Sequence, residues 1–246
     1  MDRGIKKHIK EDEIVTGFQK MLVWAGAHRD EVRLTAGIVV LLAAVAGGLA
    51  WYTSQRRHVA SVAFADAFEI LQAPVTADLP AGADQPTGLS FPTSEEKYQK
   101  AAAAFEGIER RYASLPVGQR ARYFGALARI ELGDSATAET VLKDMAARRE
   151  AGALEPALAR LALAELYRRV GKLDQAIDAY QQFAGDAAVP LPRDYALMGL
   201  GTAQEEAAKP ADARATYERL LQEFPASVYA PEARRRAEFL GSASAT

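Results

Sequence analysis

Residues 171–184 read GKLDQAIDAYQQFA, and residues 209–225 read KPADARATYERLLQEFP. Each begins at a turn and then sets a small residue, an aromatic four positions on, and an apolar residue three beyond. These are Ala176, Tyr180 and Phe183 in the first and Ala213, Tyr217 and Leu220 in the second. Positions i, i+4 and i+7 share one face of an α-helix, so each stretch predicts a helix with one packing face. Two earlier stretches follow the same pattern. GDSATAETVLKDMAA (133–147) gives Ala138, Leu142 and Met145, and KYQKAAAAFEGIERRYASLP (97–116) gives Ala101, Phe105 and Ile108. The aligned alanines stand 37, 38 and 37 residues apart. An alanine at a helix crossing lets the partner helix come close, and the larger residues one and two turns on fill the space toward the next unit. One hairpin buries too little apolar surface to stand alone, so the spacing predicts a stack of helical hairpins.

Upstream, VRLTAGIVVLLAAVAGGLAWYTSQRR (32–57) carries no charged side chain between Leu34 and Gln55. Twenty-two helical residues span roughly 33 Å, enough for a hydrocarbon core of about 30 Å. A soluble core helix rarely stays uncharged on every face over such a length. A cleaved signal peptide is the stronger rival, since Ala44-Val45-Ala46 resembles a cleavage site. Thirty-three residues precede the run, however, far more than a secretory n-region. The reading is an uncleaved transmembrane signal anchor over 34–55.

Arg3, Lys6, Lys7, Lys10, Lys20, Arg29 and Arg33 precede the span, whereas only Arg56 and Arg57 follow it closely. Basic residues resist translocation, so the N-terminus is expected in the cytoplasm and the C-terminal domain in the periplasm. Trp24, Trp51 and Tyr52 suit the two interfaces. After the span the chain holds 23 basic and 26 acidic residues, a mildly acidic balance that argues against nucleic acid as a partner.

Residues 1–33 form a cytoplasmic segment in which Ile14, Phe18, Met21, Leu22 and Trp24 recur at near-helical spacing. This predicts an amphipathic helix at the membrane face, or one that binds a partner. Residues 56–72 continue as the helix of a degenerate first repeat. Pro74, Pro80, Pro86 and Pro92 mark 73–93 as a flexible loop. Repeats occupy 94–240, with SVYAPEARRRAEFL as a capping helix, and 241–246 reads as a disordered tail. The fold class is therefore all-α, one membrane helix followed by an α-solenoid.

The repeats resemble the tetratricopeptide repeat. The last unit carries Leu197, Leu200, Gly201, Ala213, Tyr217, Leu220 and Pro225 in the family's places. The unit before it carries Leu163, Ala164, Tyr167, Gly171, Ala176, Tyr180 and Phe183. An earlier unit keeps Ala126, Gly133, Ala138 and Leu142 but has Arg122 where a large apolar residue is usual. A basic start, one span and then repeats is also similar to a bacterial family of single-span envelope proteins whose members include an ancillary subunit of the Sec translocon. That resemblance implies protein partners, either a membrane complex such as the translocon or exported polypeptides.

Little in the chain suggests catalysis. His8, His28 and His58 are the only histidines and there is no cysteine, so the repeats offer neither a thiol nucleophile, nor a Ser-His pair, nor a His/Cys zinc set. Glu95-Glu96 and Glu205-Glu206 are adjacent, so their side chains leave the helix in different directions, as on a solvated face. No cofactor or metal is expected. Ala43, Ala44, Gly47 and Gly48 make two overlapping small-xxx-small pairs in the span, which permit close helix contact in lipid and would allow a homo-oligomer. The arginines of RRRAEFL (234–240) read as complementing the helix dipole.

The first helices of stacked hairpins line a concave face, where tetratricopeptide relatives hold peptides. Here that face is expected to comprise Arg120, Tyr123, Leu127 and Ile130, then Leu158, Leu161, Glu165 and Arg168, then Tyr195, Met198, Thr202 and Glu205. Interior packing is the competing use of the apolar ones. The chain contains no asparagine, so the Asn-dependent carboxylate clamp of chaperone-binding relatives is missing. The reading is a non-enzymatic, membrane-anchored protein-binding scaffold; the alternative is an oligomeric structural organiser of envelope assembly or cell division.

Overall fold

The computed structural model describes residues 24, 28–80, 86–148 and 154–243. The amphipathic helix expected in the first segment lies outside the described residues, apart from Trp24. Two compact units divide within one helix, between His58 and Val59.

The described part of the first unit is the start of α1, which runs Arg29–Gln72. Its apolar window has a mean hydropathy of 2.1 with none of it buried against protein. Length and composition make it suitable to cross a membrane. Leu34, Val40, Leu41, Leu42 and Trp51 are all well over half exposed.

The second unit is an all-α stack. After the C-terminal part of α1 come α2 (Ser94–Tyr112), α3 (Pro116–Glu131), α4 (Ser135–Ala146), α5 (Leu154–Arg169), α6 (Leu173–Gly185), α7 (Arg193–Glu206), α8 (Pro210–Glu223) and α9 (Ala230–Ala243). From α2 onward each helix packs on the next, and α3 also meets α5 as α5 meets α7. Hairpins α3–α4, α5–α6 and α7–α8 therefore stack with their first helices along one side. The two ends of the segment 73–93 are tied to each other. Thr76 donates its amide to the Phe91 carbonyl at 2.8 Å and Phe91 donates to Pro74 at 3.0 Å. Val75 and Phe91 are buried. The last helix continues to Ala243, so residues 241–243 belong to it rather than to a tail.

The repeating triad is the core. Ala101, Ala138, Ala176 and Ala213 are each 0 % exposed, as are Phe105, Leu142, Tyr180 and Tyr217 at the next position. Three apolar clusters follow one another along the stack. The first joins Ala60 and Ala67 of α1 to Phe105, Ile108 and Ala121. There Phe64, Phe68, Phe105 and Phe124 stack edge and face with centroids 5.3–6.2 Å apart. The middle one gathers Ala126, Leu142, Met145 and Leu166. The last runs from Ala157 to Leu240 and includes Ala233 and Ala237 of α9, which thereby caps the stack.

Arg122, standing where the repeat pattern has an apolar residue, bridges α2 and α4 through Glu109 at 3.3 Å and Asp144 at 2.7 Å. Arg160, 38 residues on, pairs with Asp186 at 2.9 Å. Ion pairs thus replace aliphatic contact at this position in two hairpins.

The turn inside each hairpin is the same device used three times. Asp134, Lys172 and Lys209 donate their amides to Arg129, Tyr167 and Gln204, five residues back, at 2.8–2.9 Å. This bond closes a helix C-terminus only when the preceding residue takes a left-handed backbone. Gly133 and Gly171 do so at φ 80° and 74°, and Ala208 is forced there at φ 55°. A Cβ in that region costs on the order of 1 kcal/mol. Ala208→Gly is expected to raise stability by about 0.5–1 kcal/mol, read as a higher thermal midpoint. Gly201 has the opposite requirement, because a Cβ there would lie 2.4 Å from the buried Tyr217 ring. Gly201→Ala is expected to cost about 1–3 kcal/mol in chemical denaturation, by overpacking.

Candidate protein-binding groove

Helices α3, α5 and α7 carry the twelve residues expected on the concave face. None of them is fully buried, and all lie on the three helices that touch in succession. They divide by what they touch. Tyr123 and Ile130 lean on the middle core cluster, and Leu161 and Met198 on the last. Leu127, Ile130 and Glu165 line a cleft of about 350 Å³. Arg120 pairs with Glu155 at 3.4 Å. Leu158 is half-buried. Tyr195 is 40 % exposed and meets the Tyr229 ring edge-on, with centroids 5.9 Å apart. Thr202 donates its hydroxyl to the Met198 carbonyl within its own helix at 3.0 Å.

Two side chains of the groove floor come from the second helices, which the sequence reading assigned to the core. Tyr180 of α6 buries its ring but donates its hydroxyl to Glu165 at 2.7 Å. Tyr217 of α8 donates to Glu205 at 2.5 Å. Their rings fit because α7 has glycine opposite both: a Cβ at Gly199 would lie 2.6 Å from Tyr180. The signal was present as an aromatic paired with a glycine of α7, but only the hydroxyl bonds to Glu165 and Glu205 link these buried residues to the groove.

Arg168 clamps Glu165 at 2.6 Å and reaches Glu206 at 2.6 Å on α7, while Arg169 reaches back to Glu131 on α3 at 2.6 Å. Arg236 of α9 holds Glu205 at 2.9 Å and Glu232 at 2.8 Å. Glu205 and Glu206 are thus both engaged in cross-helix pairs rather than standing on a purely solvated face. The arginines at 234–236 sit mid-helix, away from the last turn of α9, so dipole complementation is not their role.

Electrostatics follow the burial. Burial pushes the Glu165 carboxyl up, but hydrogen bonds from Arg168 and Tyr180 and the charges of Arg168 and Arg169 outweigh it and hold it below its ordinary value. Burial, then the bond to Glu165, raises Tyr180 well above a free phenol. Burial and the bond to Glu205 push Tyr217 up to about 12. Tyr123 and Tyr195 are raised chiefly by burial, and Tyr123 also by Tyr195. Near neutral pH Glu165 is therefore ionised, and Tyr123, Tyr180, Tyr195 and Tyr217 keep their protons. Ala43, Ala44, Gly47 and Gly48 are exposed in the first unit, and nothing stands within 4 Å of where a Cβ would lie on either glycine.

A tetratricopeptide repeat-like domain family model matches residues 30–235. The chain belongs to that family. Two crystal structures of Podosopora anserina TPR-like repeats, nearly identical repeats assigned to a kinesin light chain, are similar in fold. The TM-scores are 0.52 and, for a single-residue variant of those repeats, 0.51; each is 15 % identical and covers 61 % of this chain and 80 % of its own. No curated protein matches the chain. The TPR-like solenoid is a fold that typically serves as a protein-interaction scaffold without enzymatic activity.

The Glu165–Tyr180 bond makes a testable contribution. Tyr180→Phe keeps the ring and removes the hydroxyl, and is expected to cost about 0.5–1.5 kcal/mol at pH 7. Glu165 has a lowered folded-state pKa, so its contribution is present above its unfolded value and is lost as pH falls through the folded one. Urea titrations at pH 7 and pH 3 are expected to show a smaller difference in stability in Y180F than in the parent.

Proposed function

We propose that this TPR-like chain is a membrane-anchored protein-binding scaffold, held by residues 34–55 with its N-terminus cytoplasmic and its repeats in the periplasm. The track of partly exposed apolar and aromatic side chains on α3, α5 and α7 carries the binding reading, because these residues are apolar enough to drive association yet left open by the stack. The excess of Lys and Arg before the span supports the orientation. Anchoring raises the effective concentration of the groove for partners at the same bilayer. The partners are proteins of a membrane complex or polypeptides emerging across it. The Sec translocon and its clients are the first to test, on the resemblance of the whole arrangement to single-span envelope proteins.

The exposed Ala43, Ala44, Gly47 and Gly48 face favours a second reading, an oligomeric organiser of envelope assembly or division whose copies meet through the span.

Photo-crosslinkers placed in cells at Tyr123, Leu161 and Met198 are expected to capture other proteins, while crosslinkers on outer-face positions of α4 and α6 capture fewer. Capture from the outer face alone would remove the groove assignment. Self-crosslinks without other partners would favour the organiser. Protease added to spheroplasts is expected to digest the repeats; a protected C-terminal part would overturn the location.

A further inference from the structure

A cleft lies between α1, α2, α3 and α5. It measures about 350 Å³ and is walled mainly by Leu71, Tyr98, Phe124, Leu127, Ile130 and Leu166. Phe124 is fixed from behind by ring contacts with Phe64, Phe68 and Phe105, so the wall is pre-formed rather than collapsible. Glu131, Glu165 and Arg169 stand in the lining. Arg168 and Glu206 join them through the pairs Arg168–Glu165, Arg168–Glu206 and Arg169–Glu131. Three carboxylates to two guanidiniums leave one negative charge in excess within this network on α3, α5 and α7, while the Lys97 ammonium of α2 stands 5.6 Å from the Tyr98 ring centroid.

We infer that this cleft takes one large apolar side chain, phenylalanine or leucine, of an extended polypeptide in which a neighbouring residue is lysine or arginine. The inference rests on the groove being a protein-binding surface, and it names the chemistry of the segment bound there. The apolar wall rewards burial of an aromatic or branched side chain, and the excess carboxylate favours a cation at the mouth. A polypeptide suits the surroundings better than a small molecule. Leu127, Ile130 and Glu165 belong both to the cleft lining and to the track that passes from α3 to α5 to α7, helices that pack in succession. Packed helices lie about 8–10 Å apart and an extended chain advances about 3.3–3.6 Å per residue, so roughly three residues bridge one helix to the next. Residues beyond the inserted side chain would then meet Leu161 and Met198.

Fluorescence polarisation on the full chain in detergent micelles tests this, using fluorescein-labelled Gly-Ser peptides with a central Phe-Lys, Phe-Glu or Ser-Lys. The Phe-Lys peptide is expected to bind tightest. Replacing Phe by Ser is expected to weaken binding about tenfold or more, and replacing Lys by Glu to weaken it severalfold, with that second difference shrinking in high salt. Ala162 also lines the cleft; Ala162→Phe fills it and is expected to weaken Phe-Lys binding about tenfold. The peptide series on the unaltered chain decides the matter even if A162F fails to fold. Equal binding of Phe-Lys and Ser-Lys overturns the cleft and leaves the scaffold reading standing. Competition by N-acetyl-phenylalaninamide as strong as by the peptide makes the cleft a small-molecule site and also overturns it. If no peptide binds while Met198 still crosslinks to proteins in cells, the cleft fails alone; if neither occurs, both readings fail.

Discussion

The close approach of two helices at a methyl group is the constraint on which the repeat unit depends. Ala138, Ala176 and Ala213 are each sealed from solvent, and at each a larger side chain would hold the second helix of the hairpin away from the first. Only with the helices that close can Leu142, Tyr180 and Tyr217, one turn on, become fully buried. The glycines of α7 extend the same logic, since Gly199 and Gly201 receive tyrosine rings that no Cβ would admit. Burial of one aromatic or leucine side chain contributes on the order of 1.5–3 kcal/mol, and the pattern supplies one such residue per hairpin at this position alone.

Because the tyrosines are drawn in so far, their hydroxyls emerge on the other side of the contact. The bonds Tyr180–Glu165 and Tyr217–Glu205 tie the core to the groove, so one residue serves both packing and surface chemistry. An unpaired phenol in this buried position would carry a desolvation cost, which the carboxylates remove. The carboxylates are in turn paired with arginines, Glu165 with Arg168 of its own helix and Glu205 with Arg236 of α9. The proposed binding surface is therefore built from groups whose positions the stack already fixes, and little ordering is left for a ligand to impose.

The hairpins could be read from the sequence because one short-range rule, small then large then apolar on a single helix face, recurs at nearly constant spacing. The half-buried state of Tyr123, Leu161 and Met198 follows from the same register. What could not be read is whatever depends on contacts between distant units. Arg122 looked like a defect in the pattern, yet it meets Glu109 and Asp144 from two other helices. Leu71 and Tyr98 belong to the degenerate first unit, where the pattern fades, so the cleft they help to wall left no local trace. Adjacent glutamates suggested solvent, whereas Glu205 and Glu206 are met by arginines 31 and 38 residues away in the chain.

Glu131, Arg169 and Glu206 occupy equivalent places in three consecutive hairpins, 38 and 37 residues apart. Arg169 meets the first directly, and its neighbour Arg168 meets the last. Modules built on one pattern invite misassembly, because a hairpin left out during folding would still offer its neighbours a similar apolar surface. Skipping α5–α6 would bring Glu131 toward Glu206, acid against acid, where the proper order sets guanidinium between them. Each pair is worth little to stability on its own, but the alternation of sign penalises the wrong neighbour and so encodes the order of assembly.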